Sequence, residues 1–369
     1  MMQIIFFAVS FIVVFAGQAL FWYVLVKFLN LTTLEGRLIS GLIVGFLFIS
    51  VILASYLIHK WDNLFTRWYY IFAGFWIGLL VNFGLATALI IIIKLAGFSF
   101  GFTLPGLYLK IIFFGGALIL SVIGALNAGN PKVTEYTVYI KDLPESWNNK
   151  TVVQISDVHL GPVYRAQFFS RLLKKAQNLN PEAIFITGDL FDGMESDFTW
   201  LNHPFTKLNV PRGIYYSFGN HDLYLGFNRA LELLKGNPIT ILDDKMVTVD
   251  GLQIIGINYS FNKDFDLEEA ILRQVGYDRA KPSLLLFHEP KNIALAKNAE
   301  IDLQLSGHTH QGQLWPFNIL ARLIYKGHGY GLFSDGDFSL IVNRGAGTWG
   351  PPMRTTGCSE IVKIILKKK

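Results

Sequence analysis

Four long apolar runs dominate the first third of the chain: Ile4–Val26, Leu38–Ile58, Trp68–Ile93 and Gly106–Leu126. The first three carry no charge, and the fourth carries only Lys110, close enough to its start to snorkel toward an interface. A helix needs about 20 apolar residues to cross a bilayer's hydrocarbon core. The pattern therefore predicts four transmembrane helices, at about residues 4–26, 38–58, 68–93 and 106–126. Pro105 suits a first helical turn, and Trp22, Tyr23, Trp61, Trp68, Tyr69 and Tyr70 lie near run ends as an aromatic belt does. The first run lacks a basic leader and exceeds the roughly 7–15 apolar residues of a secretory signal, so it reads as a span. Four spans put both chain ends on one side. Lys27, Arg37 and Lys94 on one face against Lys60 and Arg67 on the other do not favour a side. Gln18 and Asn82 are lone polar groups suited to helix–helix hydrogen bonds, and with no paired intramembrane charges the region reads as an anchor.

The pattern changes at Ala128-Gly129-Asn130-Pro131, a breaker cluster expected to act as a linker. Beyond it, short apolar strands run straight into polar clusters. Thr151–Ile155 leads to Ser156-Asp157-Val158-His159, and Ala183–Thr187 to Gly188-Asp189-Leu190-Phe191-Asp192. Gly213–Phe218 leads to Gly219-Asn220-His221-Asp222, Ser283–Phe287 to His288-Glu289, and Asp302–Leu305 to Gly307-His308-Thr309-His310. Ser359–Leu366 reads as a last strand. Helical stretches at Ala166–Asn178, Phe227–Leu234 and Leu267–Gln274 alternate with several of these strands, which predicts an α/β domain. Ligands of such domains bind beyond the carboxyl ends of strands, so the polar clusters are expected to share one site.

Charge follows the same division. Residues 1–130 hold six basic and two acidic side chains, of 32 and 27 in the chain, so most of the net +5 flanks the spans. That placement suits lipid headgroups and leaves the second part without the basic excess of a nucleic-acid binder. A single cysteine, Cys358, excludes a disulfide scaffold.

Asp157, His159, Asp189, Asn220, His288, His308 and His310 are the candidate metal ligands, with His221, Asp192 and Asp222 beside them. Five of the eight histidines of the chain fall in this group. Imidazoles mixed with carboxylates suit Mn, Fe or Zn ions rather than calcium, and seven donors suit two divalent ions sharing a carboxylate. Other residues read as structural. His203 and His328 are loop residues with substrate contact as the alternative, and Arg344 and Arg354 are expected in edge salt bridges rather than on a phosphate. Cys358 is expected to pack inertly, and Lys367-Lys368-Lys369 to form a solvated tail.

Asp-x-His, Gly-Asp-x-x-Asp, Gly-Asn-His-Asp, a lone His and Gly-His-x-His, in this order over about residues 151–310, resemble the calcineurin-like metallophosphoesterase superfamily. Gln154–Gly161 and Gly307–Gln313 are similar in style to its bacterial membrane-anchored branch. The resemblance implies two packed mixed sheets flanked by helices. It implies Asp157, His159 and His310 on one metal, Asp189 bridging, and Asn220, His288 and His308 on the other. It further implies that the catalytic residues are His221, facing the scissile phosphate, and Asp192, orienting it.

The expectation is a transmembrane region over residues 1–130 and a metallophosphoesterase domain over 131–369, in a multi-pass protein of a bacterial cell membrane. Its reaction would be hydrolysis of a phosphodiester or pyrophosphate by in-line attack of a metal-bridging hydroxide, with His221 as general acid. The partners expected are membrane lipids and a phosphoester substrate, which tethering near the bilayer makes attractive as a lipid-linked one. A nuclease or cyclic-nucleotide phosphodiesterase is the alternative enzyme. A non-catalytic, metal-stabilised membrane sensor or interaction module is the alternative of another class.

Overall fold

The computed structural model describes residues 2–261, 266, 270 and 275–369, and the helical stretch expected at Leu267–Gln274 lies outside them. The chain divides into two compact units, one of Met1–Leu126 with Gly350–Thr355, the other of Asn127–Trp349 with Thr356–Lys369.

The first unit contains the helices α1 (Met2–Phe28), α2 (Leu34–Lys60) and α3 (Leu64–Phe100), and most of α4 (Gly106–Gly129). The last three are long and apolar enough to cross a membrane, whereas the apolar stretch described in α1 is the shorter Val14–Phe28. α2 and α3 run past the expected spans because capping residues, not the apolar runs, end them. Thr33 Oγ1 accepts from Gly36 N at the start of α2. Asn63 and Thr66 exchange hydrogen bonds at the start of α3, and Gly101 at φ 73° stops that helix. Asn82 Nδ2 donates to Ser121 Oγ at 2.8 Å, a bond between α3 and α4 of the kind expected for it. The Gln18 amide is buried and finds no hydrogen-bond partner among the described residues. Arg354 is buried in this unit's loop, with its backbone N–H donating to Gly124 O at 2.9 Å.

The second unit is α/β and holds two mixed six-stranded sheets. The first has the order β1 (Lys132–Ile140), β12 (Glu360–Lys368), β2 (Lys150–Ile155), β3 (Ala183–Thr187), β4 (Ile214–Ser217), β5 (Ile239–Ile241). The second runs β10 (Gly331–Asp335), β11 (Phe338–Val342), β9 (Leu303–Ser306), β8 (Ser283–Phe287), β7 (Leu252–Ile257), β6 (Lys245–Val249). β2 through β5 are parallel neighbours, as are β7, β8, β9 and β11. Strands covered on both faces should read as continuous apolar runs. β3, β4, β7, β8, β9 and β11 are buried along their whole length, and that is why their sequences lack alternation.

Successive side chains of each strand point to opposite faces of its sheet, so each sheet feeds two apolar layers. Val152, Phe185 and Ile364 of the first sheet pack with Ile254, Leu286 and Leu305 of the second in the inter-sheet core. The other face of the first sheet is covered by α5 (Ala166–Gln177) through Phe169, Leu172 and Leu173. The other face of the second packs on α9 (Ile293–Asn298) through Ala296. Short helices α6 (Asn202–Phe205), α7 (Asn220–Leu225) and α8 (Phe227–Leu234) follow β3 and β4, and α10 (Phe317–Ile324) follows β9.

Three expectations change. The expected linker shrinks to Asn130-Pro131, because α4 runs to Gly129 and β1 starts at Lys132. The lysine tail is not a solvated extension: β12 pairs with β1 as far as Lys368, whose Nζ lies 3.3 Å from the Glu145 carboxylate. Six strands the pattern did not predict, β1, β5, β6, β7, β10 and β11, complete the sheets.

Phe185 is fully buried between the sheets and stacks on Tyr215 with ring centroids 5.7 Å apart. Phe185→Ala should cost about 3–5 kcal/mol in chemical denaturation of the full chain, and a loss below about 1 kcal/mol would contradict this packing.

Candidate metal centre

The parallel strands β2, β3 and β4, and β8 and β9 of the other sheet, each end in one of the polar clusters. Side chains bind these strand ends together. Gln154 Nε2 donates to Thr187 Oγ1 and to Ser306 O, both at 2.9 Å, which joins β2 to β3 and β9. Asp222 is fully buried and accepts from the backbone N–H groups of Asp189, Phe191 and Gly219 at 2.8–3.0 Å. Those bonds favour its charged form, but burial, with Asp189 nearby, pushes its carboxyl up to about 7.

Side-chain atoms of Asp157, His159 and His310 converge in one group, and those of Asp189, His288 and His308 in another. A third group, of His159, Asp189 and His221, shares members with both. Asp189 Oδ2 lies 3.1 Å from His288 Nε2 and 3.9 Å from His159 Nε2, so one carboxylate borders both halves. Asn220 opens α7, and its buried Oδ1 has no hydrogen-bond partner among the described residues.

Tautomers follow from what holds each ring's other nitrogen. His288 Nδ1 donates to Thr187 O at 2.7 Å, which leaves Nε2 directed at Asp189 and at His308 Nδ1, 3.2 Å away. His159 Nδ1 lies 3.3 Å from the Asp192 carboxylate, while its Nε2 is 3.0 Å from His310 Nε2. His310 Nε2 is also 3.4 Å from Asp157 Oδ1. Lone pairs of two imidazoles and a carboxylate meeting at such distances suit a cation between them. Charge balance agrees. Burial opposes charge on His288, yet the Asp189 and Asp157 carboxylates push its ring up to about 10. Burial likewise opposes charge on Asp189, but His288 holds it well below the usual carboxylate range. His308, half-buried beside His288, is pushed down to about 3 by desolvation and by His288. These residues fit two divalent ions, the role of which a proton on His288 can fill only in part.

Backbone geometry marks the same residues. Asp157, His159, Asp189, His308 and His310 all have φ between 49° and 68°, the left-handed region. Each such non-glycine residue costs roughly 1 kcal/mol or more, and strain of this kind collects at functional sites. Gly307 permits the closest approach. A Cβ there would lie 1.9 Å from Ser156 Oγ and 2.2 Å from Asp157 Oδ2, so a side chain would push the β9 loop off the β2 loop. That approach lets His308 N donate to both Asp157 oxygens, at 2.9 and 3.1 Å.

His221 stands at the edge of this cluster. Its backbone N–H donates to Asp189 Oδ1 at 2.8 Å, and its Nδ1 bonds the backbone carbonyl of Asp192 at 2.8 Å. The contact that orients His221 is thus the main chain of Asp192, while the carboxylate of that residue faces His159. Burial and the neighbouring His159 lower the pKa of His221. Aromatic rings surround it: Tyr224 at 5.0 Å and Trp349 at 5.9 Å, with Tyr259 stacked 5.9 Å from His308. These rings, the Thr187 carbonyl and Gln154 escape sequence reasoning, since none belongs to a cluster of metal-binding residue types.

Of the remaining candidates, His203 is exposed on α6 and His328 packs against Phe333 at 4.8 Å. Neither joins a ligand group among the described residues. Arg344 pairs with Glu360 at 3.2 Å, a salt bridge as expected but at the start of the interior strand β12 rather than at a sheet edge, and Cys358 Sγ lies 3.3 Å from Asn127 Oδ1.

Comparison with known proteins points the same way. The family model described as calcineurin-like phosphoesterase matches residues 150–312. A metallophosphoesterase of Campylobacter jejuni is 34% identical over 272 residues, 71% of this chain and 72% of its own. One from Aquifex aeolicus is 31% identical over 261 residues, covering 69% of this chain and 98% of its own. A transmembrane protein with metallophosphoesterase domain from Danio rerio is 34% identical over 273 residues, 68% of this chain and 61% of its own. The likeness therefore extends beyond bacteria to a vertebrate. With its strand-end ligand groups and these relatives, the chain belongs to the calcineurin-like phosphoesterase family and is a metal-dependent phosphoric ester hydrolase.

Proposed function

We propose that residues 131–369 hydrolyse a phosphodiester or pyrophosphate at a dinuclear centre, and that residues 1–130 anchor this activity in a bacterial cell membrane as a multi-pass protein. The observation that carries the reading is Asp189, whose carboxylate borders both ligand groups. In the proposal Asp157, His159 and His310 hold one divalent ion, Asn220, His288 and His308 the other, and Asp189 bridges. Mn, Fe and Zn suit this mixed donor set. The ions, when bound, supply charge neutralisation for the phosphate and a hydroxide nucleophile near neutral pH.

The residues of the chain supply orientation and a proton. The Asp192 carbonyl fixes the His221 ring through Nδ1, so Nε2 is the atom left to serve the reaction. Protonated there, His221 donates to the departing ester oxygen; its lowered pKa confines that protonated form to lower pH. Asp192 acts twice, as a positioning residue for His221 through its carbonyl and for His159 through its carboxylate. Membrane anchorage supports a lipid-linked phosphoester as the substrate, because tethering raises the effective concentration of a substrate held in the same bilayer. Relatives named transmembrane proteins with metallophosphoesterase domains support the anchored arrangement.

Metal-stripped protein should be inactive on bis(p-nitrophenyl) phosphate and regain turnover with Mn²⁺, whereas Asp189→Asn should not regain it. Full turnover by Asp189→Asn would refute the bridging role. At saturating metal, His221→Ala should lower kcat by about 10²–10⁴-fold with metal affinity kept. Asp192→Asn keeps the carbonyl, so it should instead weaken metal affinity by about 10–100-fold with kcat near wild type once metal saturates. The opposite pattern in the two variants would overturn these assignments.

A further inference from the structure

We infer that α10 is a bilayer-docking surface, with the headgroup and upper acyl region of an anionic-lipid membrane as its partner. Among the described residues of the catalytic unit, every exposed leucine and isoleucine lies on this helix: Ile319, Leu320, Leu323 and Ile324. Trp315 and Phe317 extend the same surface, and Leu323 and Ile324 are 70% and 59% exposed. At ~100° per residue the exposed apolar side chains of α10 span an arc of roughly 160°. Ala321 is buried against the domain on the other side. A contiguous exposed patch of leucine, isoleucine and aromatic side chains is the kind of surface that a partner covers.

Charge identifies the cover. From Trp315 to Tyr330 there is no acidic residue, while Arg322, outside the apolar arc, and Lys326, just past the end of the helix, are exposed cations. An exposed apolar arc in a segment that carries cations and no anions suits an interfacial helix on anionic lipid. The same chain also carries helices long and apolar enough to cross a bilayer.

The helix is held to the metal centre at both ends. α10 begins shortly after His310, and a Cβ on Gly312 would lie 2.3 Å from Phe317 C and from Asn318 N, so the ligand loop packs directly on its first turn. Gln313 exchanges two 3.0 Å hydrogen bonds with the backbone of Trp349, the residue beside His221. Beyond the helix, Thr309 Oγ1 donates to Gly329 O at 2.7 Å. Immersion of α10 would therefore hold the His308-Thr309-His310 loop at headgroup level. The docking itself does not depend on the hydrolase reading; only the consequence for a lipid-borne phosphoester does.

Spanning helices would keep the chain in vesicles whatever α10 does, so the test reads local immersion. Full-length Cys358→Ser protein carrying Leu323→Cys, Ile324→Cys or the control Lys235→Cys would be spin-labelled and reconstituted in phosphatidylethanolamine–phosphatidylglycerol vesicles. Turnover of the aryl diester checks that each variant is folded. The inference expects labels at 323 and 324 to be reached by oxygen and shielded from an aqueous nickel chelate, with the label at 235 the reverse. Equal chelate access at all three sites would overturn it. Dipolar broadening between labels of two chains would overturn it as well, since a second copy would then cover the face.

Discussion

The second unit is organised around the burial of carboxylates beside imidazoles at the ends of two sheets. Asp157, Asp189 and Asp222 are all nearly inaccessible, and each needs a different form of compensation. Asp222 takes three backbone N–H groups, and Asp157 the N–H of His308. Asp189 spends Oδ1 on His221 N, and its Oδ2 is left among histidines. An unpaired buried charge is costly, so this arrangement asks for positive charge at its centre. The left-handed ligand residues and the approach at Gly307 are the backbone's share of that arrangement.

Much of this was legible because the fold and the chemistry leave different marks. The fully buried strands β3, β4, β8 and β9 show as short apolar runs with His, Asp or Asn placed directly after them, whereas β7 and β11, equally buried, are followed by no His or Asp cluster and escaped the pattern. β3 and β8 accordingly have the bounds their sequences predict. Strands β5 and β6 were illegible for the converse reason: they are half-exposed and short, and Ile239–Ile241 has too few residues for any period. In the membrane-type unit the apolar runs located the helices but not their ends, which Asn63, Thr66 and Gly101 decide.

At the site, residue types revealed the candidate ligands but not the wiring among them. The clearest case is Asp192. A carboxylate near a histidine suggests a carboxylate–histidine contact, and the structure contains one, but with His159; His221 is held by the carbonyl. A main-chain acceptor has no sequence signature, since every residue carries one. Trp349 and Tyr259 were equally hidden, because they come to the centre from distant loops. The apolar face of α10 follows a ligand block directly, yet its exposure is a property of the packed domain.

The account rests on two ions joined through Asp189, and the most direct test is manganese binding followed by electron paramagnetic resonance. Metal-stripped full-length protein should take up two Mn²⁺ per chain and give an exchange-coupled spectrum, as ions about 3.5–4 Å apart do. Asp189→Asn should lose the coupling. One ion per chain, or two uncoupled ions in the wild type, would contradict the account.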